Sequence, residues 1–335
     1  MKKSLSMKEI AELAGVSVAT ISRVMNQNGG YSTETEEKVR SAIKKYNYVP
    51  NSAAKSLRTN RAPIVGIIVP DILNEYYSRL VFELQMAFFE EGYLTMICNT
   101  NESSTLEEKT VQALIAQSVS GLILISGVNY QKRSLATGIP TAYIDRRPQD
   151  DERGIVYVES DNVQGGYMAT KELIECGCTR IAFITDMLGE SSKIGRFKGY
   201  CNALNEADIP IDPSLTMRVQ NVAIDDAFQV VSEALEKGIT FDGIMCTTDM
   251  LAIGATMASE AAGYKVPEEM KITGFDDVSA TTLFRPSITT VHQNTDAMTK
   301  LVAELLIDLI DGKKLKEQDY TIPVTLMKRA STRGE

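Results

Sequence analysis

Along the chain, the apolar positions change period. Over residues 7–26, MKEIAELAGVSVATISRVMN, they recur at helical spacing in two short stretches on either side of a glycine. Ile10, Leu13 and Ala14 predict one apolar face of a first helix, and Ser6 followed by Glu9 is a capping-box signature. Gly15 stands where a left-handed turn is needed, and Val16 packs that turn inward. Ser17 is placed to cap a second helix, in which Ala19-Thr20-Ile21 and Val24-Met25 alternate buried and exposed positions. A third helix is predicted over 32–46, with Thr33 and Glu36 at capping spacing and Val39, Ile43 and Tyr46 along its packing face. The stretch YVPN-SAAKSLRTNR that follows is short, Ala-rich and basic. Helix nucleation is costly, so residues 51–57 are expected to be helical only when docked, as a hinge would be.

From residue 64 the pattern becomes an alternation of strands and helices. Strands are predicted at 64–69, 94–98, 121–125, 141–144 and 155–158, then in a second series at 180–184, 215–219, 243–246 and 271–273. Amphipathic helices fill the gaps, for example at 77–91, 106–117 and 166–176. The fold class is therefore α/β, an N-terminal all-α module followed by parallel sheets covered with helices on both faces. Two strand series imply two lobes, and ligands favour the crevice at the carboxyl ends of such strands. No glycine-rich phosphate-binding fingerprint of the GxGxxG or GxxxxGK[ST] type occurs, so nucleotide chemistry has no anchor.

Charge divides the chain in the same place. The whole protein has 335 residues and a formal charge of −9, but residues 1–61 hold eleven Lys and Arg against five Glu, a balance of +6. An acidic protein with a basic head repels DNA everywhere except at that head. This turns a plain helical hairpin, which is common, into a helix-turn-helix whose second helix lies in the major groove. Lys38, Arg40, Lys44 and Lys45 are among the cations available for phosphates, some of them simply solvated surface. Five cysteines without paired metal spacing read as buried, reduced thiols. The single histidine, His292, leaves no histidine cluster for a metal and no second histidine for a Ser/His/Asp triad. Neither a signal peptide nor a membrane span is expected, which points to the cytoplasm. No enzymatic activity, catalytic residue, metal or cofactor is expected.

The segments AGVSVATISRVMN, YVPNSAAKSLRTNR, VGIIVPDILNEYYSRL, GLILISG, IDRR, ESDNVQGGYMATKELIECG, GRFKGYCNAL, TTDMLAIGA, ITGFDDVSA and RPSITTVHQN stand in a characteristic order. Together they make the chain, from residue 5 to 332, resemble the LacI family of bacterial transcription regulators. The resemblance implies a helix-turn-helix domain over 1–49, a hinge over 50–61, and a periplasmic-binding-protein-like effector-binding and dimerisation domain over 62–335. Its first lobe would use about 62–161 and 293–320, its second about 162–292 and 321–335. Homodimers of the family bind pseudo-palindromic operator DNA, and a lone small module makes too few contacts for tight specific binding. The chain stops without a heptad-bearing extension, so a tetramerising coil is not expected.

In the reading helix, Val18, Ala19 and Arg23 match the family's base-reading positions. Arg23 can pair bidentately with guanine O6 and N7, a contact worth about 1–3 kcal/mol of discrimination, while Val18 and Ala19 offer only apolar contact. Ser17, Thr20, Ser22 and Asn26 suit phosphates, or merely cap and pack. Leu57 matches the wedge that opens a minor-groove step, with Ala54 one turn earlier and Asn51 and Arg58 on the same hinge segment. For the effector crevice, the resemblance implies Asn74, Tyr76, Tyr77, Asp145, Arg146, Arg196, Thr248, Asp276 and Gln293. Carboxylates with guanidinium groups suit adjacent hydroxyls, and an aromatic face covers the apolar side of a sugar ring. Lobe-closing ion pairs and turn caps are the other roles open to these residues, and Asp161 and Asp249 are read as caps. Thr248 stands where many sugar-responsive members have Asn, and Ala223 where a stacking aromatic is common. Glu190 stands where the purine-responsive member has Arg, which argues against a purine. The function implied is a repressor of a carbohydrate operon, controlled by a sugar or sugar-derived effector. A global carbon regulator working with a phosphocarrier protein is the alternative within the class; a solute-binding protein would share the core but lack the DNA module.

Overall fold

The computed structural model describes residues 5–25, 29–46, 48, 62–125, 138–147, 155–187 and 191–334. The chain divides into two compact units, Met1–Pro63 and Ile64–Glu335.

In the first unit, α1 (Met7–Ala14) begins with a full capping box: the Ser6 side chain accepts from Glu9 N, and the Glu9 carboxylate accepts from Ser6 N at 2.6 Å. It ends at Gly15 in the left-handed conformation, φ 66°. α2 (Val18–Met25) is capped by Ser17, whose Oγ accepts from Thr20 N at 3.1 Å. α3 (Thr33–Lys45) is capped by Ser32 rather than Thr33, because Ser32 holds the extended backbone a cap needs and its side chain accepts from Thr35 N. Ile10, Ala11, Ile21, Val24, Val39 and Tyr48 make the core of this unit, with Val16 packed against it. Leu13 is 49% exposed and Ala11 takes the inward position expected for it, a rotation of one face that short helices often hide. Tyr46 likewise points out of the core, under the Lys45 ammonium.

The second unit holds two six-stranded sheets. Its elements run β1 (Ala62–Val69), α4 (Glu75–Glu90), β2 (Leu94–Asn99), α5 (Ser104–Ala116), β3 (Val119–Leu124), β4 (Thr141–Ile144), β5 (Val156–Ser160) and α6 (Asn162–Glu175). Then come β6 (Ile181–Asp186), α7 (Ser191–Glu206), β7 (Thr216–Val219), α8 (Ile224–Glu236), β8 (Gly243–Cys246), α9 (Asp249–Ala261) and β9 (Lys271–Asp276). The chain closes with α10 (Ala280–Leu283), β10 (Thr289–Gln293), α11 (Thr295–Ile310), β11 (Asp319–Ile322), β12 (Val324–Met327) and α12 (Ala330–Arg333). The first sheet has the order β11-β5-β4-β3-β1-β2, the second β12-β10-β9-β8-β6-β7. Every described pairing is parallel except β10 with β12. Strands such as β3 and β8 are buried along their whole length, as parallel sheets covered on both faces require.

In each sheet the chain starts one strand in from an edge, moves outward to that edge, then reverses. That reversal is a topological switch point, and it opens a crevice at the strands' carboxyl ends. Three adjacent crossovers join the sheets. The first leads from β5 into α6, the second from β10 into α11, and the third from β11 to β12 through Pro323. Asp161 N donates to Ile322 O at 2.9 Å, and Gln293 pairs with Val324, so the three segments lie side by side.

α6 and α7 pack unusually close. A Cβ on Gly166 would meet Arg196 O at 2.2 Å, and one on Gly199 would meet Val163 O at 2.1 Å. Only glycine permits that approach, and it fixes the backbone that carries Arg196.

Candidate functional site

Two sites stand on these units. On α2, Val18 is 42% exposed, Ala19 and Arg23 are also exposed, and Ile21 and Val24 face the core. Ser17 spends its side chain on Thr20, through Oγ to Oγ1 at 2.9 Å as well as the cap, and Ser22 is half-buried. An apolar surface next to a cation is thus displayed on one solvent face of a short helix. Asn26, Asn51, Ala54, Leu57 and Arg58, together with the rest of the hinge 50–61, lie outside the described residues. Glu190 does too.

The second site is a cavity of about 470 Å³ at the carboxyl ends of the strands. Asp145 follows β4 and Asp276 ends β9, the same position in each sheet's order. Both adopt positive φ, 71° and 110°, a conformation uncommon for residues with a side chain and concentrated at functional sites. They are joined through a buried relay. The Tyr76 hydroxyl, on the first turn of α4, donates to Asp145 Oδ1 at 3.0 Å, with Gln293 Oε1 at 3.1 Å. Gln293 Nε2 in turn donates to Asp276 Oδ1 at 2.8 Å. Burial pushes the Tyr76 phenol well up, reinforced by the charge of Asp145, so its proton stays in the relay. Burial likewise pushes Asp276 up to about 7; Arg196 pulls it back and Asp145 adds to the rise.

Each cation is held by several groups. Arg146 donates to Tyr77 Oη, pairs with Glu102 at 3.1 Å and lies 3.9 Å from Asp145. Its guanidinium also covers the Tyr77 ring, 5.2 Å from the centroid. Arg196 stacks on Phe275 at 3.6 Å, donates to Asn162 Oδ1 at 2.9 Å and to Thr247 O at 2.5 Å, and stands 3.6 Å from Asp276. Such anchoring leaves planar forks in fixed orientation, which is what recognition of neighbouring hydroxyls needs.

The cavity lining brings together eight of the nine residues expected for the effector crevice. Gln293 sits behind it, fully buried, and acts on it through Tyr76 and Asp276. Asn74 and Thr248 do two things, since each caps a helix (α4 and α9) while lining the cavity. Asp161 caps α6 as expected. Asp249 does not cap α9, because Thr248 already fills that position; its carboxylate instead accepts from Val278 N and Thr290 Oγ1 and ties the β9–α10 loop to β10. Ala223 lines the cavity at the start of α8. Glu102, Asp186 and Lys193 also line it and were missed by sequence reasoning. A charged residue at a strand's carboxyl end, as Asp186 is, or in the next helix's first turn, as Lys193 is, is the signal that could have found two of them; Glu102, in the β2–α5 loop, carries no such signal. Of the thiols, Cys178 and Cys246 are buried but Cys98, Cys176 and Cys201 are half-buried, and all five are free. Among the described residues there is no acid, Cys and His cluster able to hold a metal, and no helix long and apolar enough to cross a membrane.

A helix-turn-helix head followed by a two-lobed cleft of this kind defines a DNA-binding protein with a small-molecule-binding core. Residues 6–51 match the model of the bacterial regulatory proteins of the lacI family, and 170–332 that of the periplasmic binding protein-like domain. The ribose operon repressor of Halalkalibacterium halodurans is 34% identical over 98% of this chain and 97% of its own. The chain belongs to the lacI family, and it is a DNA-binding transcriptional regulator. Among solved structures, a complex of the transcriptional regulator CelR with cellobiose is 29% identical, with TM-score 0.75 over 98% of this chain and 99% of that one. A LacI family regulator from Enterococcus faecium with bound ribose is 26% identical, with TM-score 0.71 over 80% and 98%.

Proposed function

We propose that the protein is a cytoplasmic homodimeric repressor of carbohydrate-utilisation genes, without catalytic activity, whose operator binding is set by a sugar held between the lobes. The observation that carries this reading is the pair Asp145 and Asp276, presented from matching strand ends and linked through Tyr76 and Gln293. Carboxylates and fixed guanidinium groups, with Tyr76 and Tyr77 beside them, supply the acceptors, donors and apolar faces of a sugar site. Ribose and cellobiose in the related regulators support the ligand class.

Arg23 reads guanine, Val18 and Ala19 make apolar base contacts, and Ser17, Thr20, Ser22 and Asn26 contact phosphates. In the hinge, Leu57 wedges the minor groove, and Asn51, Ala54 and Arg58 contribute to DNA binding. For the dimer, α4 turns Phe82, Met86 and Phe89 outward at helical spacing, and Leu94 and Met96 of β2, the edge strand, are exposed too. Such a patch on a soluble protein calls for a partner, here a second copy. Sugar binding alters the angle between lobes and hence the separation of the two hinges, so operator and sugar affect each other's affinity by one common factor.

The test is to select an operator from random DNA, find the sugar by thermal shift, and measure operator affinity with and without it. The sugar is expected to change affinity by about 5–150-fold. Asp276→Ala is expected to abolish that change while keeping operator binding; an unchanged response would remove the cleft from the mechanism.

A further inference from the structure

The β9–α10 loop leaves the second sheet and ends against the first. At its root, Asp276 and Asp277 both take positive φ, 110° and 55°, which turns the chain out of β9. Val278 N donates to Asp249 Oδ2 at 2.9 Å, and Thr281 Oγ1 donates to Val278 O at 2.7 Å, so the loop is held from the side of α9. Its tip belongs to the other side, because Val278 is buried in the core cluster of the first sheet together with Tyr76 and Tyr77 of α4. There the Glu75 carboxylate takes Ser279 with both oxygens. Ser279 N donates to Glu75 Oε1 at 2.8 Å, and Ser279 Oγ donates to Oε2 at 2.6 Å. Ser279 stands at the cap position of α10, but its hydroxyl makes no cap bond and is spent on Glu75 instead. Arg79, one turn along α4, pairs with the same carboxylate at 2.9 Å. Neither Glu75 nor Ser279 is among the described residues that line the cavity. Glu75 nonetheless directly precedes Tyr76, and Ser279 follows Asp276 by three residues.

We propose that Glu75 and Ser279 are positioning residues of the cavity, a clasp that holds the wall bearing Tyr76 against the wall bearing Asp276. This rests on the reading of the cavity as a sugar site. When the lobes turn apart about the three crossovers, the clasp opens and the two walls separate. With the clasp closed, a sugar meets both walls already in place. Without it, part of the sugar's binding free energy goes into bringing them together, and affinity falls in proportion to the fraction of molecules that are closed. Two hydrogen bonds to one ionised carboxylate are strong enough to set such a bias. Because the clasp touches no sugar, the fall is the same for every sugar that uses both walls.

The full-length protein would be titrated with ribose, glucose, galactose and cellobiose. Ser279→Ala and Glu75→Ala are each expected to weaken binding by about three- to tenfold, the scale of a hydrogen bond to a charged group at a half-exposed position. The double variant is expected to stay within about twofold of Glu75→Ala, because both changes break one interaction. Ser279→Thr keeps both donors and is expected to bind within about twofold of the unmodified protein. Ratios between sugars are expected to hold in every variant, whereas loss of a direct contact would change them. Sugar is also expected to slow hydrogen exchange at Ser279 N in the unmodified protein. Losses that multiply in the double variant, altered ratios, failure of Ser279→Thr to restore binding, or exchange at Ser279 indifferent to sugar would each overturn the clasp. If none of the sugars binds the unmodified protein, the sugar-site reading falls and the clasp with it. Sugars that bind the unmodified protein and both single variants equally well remove only the clasp.

Discussion

In the first sheet the chain runs from β1 outward to β2 and back through β3, β4 and β5; in the second it runs from β6 to β7 and back through β8, β9 and β10. The matching positions nonetheless carry different chemistry. The helix after the first strand is α4 in one lobe and α7 in the other. α4 shows Phe82 and Phe89 to solvent at 62% and 65% exposure, whereas α7 is pressed through glycine against α6. Into the cleft, α4 sends two phenols and α7 sends a lysine and an arginine. In the helix after the second strand, the fourth residue is buried in both lobes, but it is Glu107 in α5 and Ala227 in α8. Topology decides where a residue can act, and the side chain decides what it does there. One lobe turns an exposed apolar helix face outward, and the other sends two of the cavity's described cations from a single helix.

The harshest way to probe this difference is at the α6–α7 contact. Gly199→Val would drive a side chain into the Val163 carbonyl, and is expected to cost about 4 kcal/mol or more, seen as a fall in the denaturant midpoint. Glu90→Ala, at an exposed position on the matching helix, is expected to change stability by no more than about 0.5 kcal/mol. Equal losses would erase the distinction between the two helices.

Next in size is the apolar face. Phe82→Asp combined with Phe89→Glu is expected to give monomers in sedimentation. Operator affinity is expected to fall by about 10²–10⁴-fold, because the two half-sites are no longer bound together. Ile194→Asp, an equally exposed apolar position on α7, is expected to leave the dimer intact. A dimer that survives the first change, or dissolves with the second, places the interface elsewhere.

The smallest effect per step concerns Glu107. It is fully buried, neither carboxyl oxygen has a hydrogen-bond partner among the described residues, and burial pushes it up to about 8 from the ordinary 4.5, with Glu102 adding to the rise. Below about pH 4.5 the group is neutral in both the folded and unfolded chains, and its contribution is fully present. Between about 4.5 and 8 the unfolded chain has lost the proton that the folded one keeps. Stability is therefore lost as pH rises through this window, by about 1.4 kcal/mol per unit. Glu107→Gln is expected to remove that slope, read as the difference between the two proteins' unfolding free energies from about pH 6 to 7.5. Parallel slopes would show that Glu107 is ionised in the fold.

What could be read from the sequence was mostly local. Ser6 with Glu9, Gly15, Ser17 and the buried strand runs are decided within a few residues, and the structure places each as expected. Leu13 and Tyr46 were misplaced because one or two turns of helix do not fix which side a packing partner will take. β10, β11 and β12 did not appear in the strand pattern: they are four or five residues long and are held by partners from 16 to more than 150 residues away. At the cleft, Asp145, Arg196 and Asp276 stood in recognisable motifs. Glu102 did not, because its pairing with Arg146 spans 44 residues and arises only from the fold.

The three segments that join the lobes, at Asp161, at Asn294 and at Pro323, run as neighbouring tethers. A single tether would let one body swivel, slide and tip against the other. Three short ones abreast suppress separation and lateral sliding, and leave one soft coordinate, rotation about the line they define. Whatever enters the cleft is therefore recorded as an angle. A message that has only one coordinate can be added to or opposed by a second binding event, but it cannot be encoded in any other form.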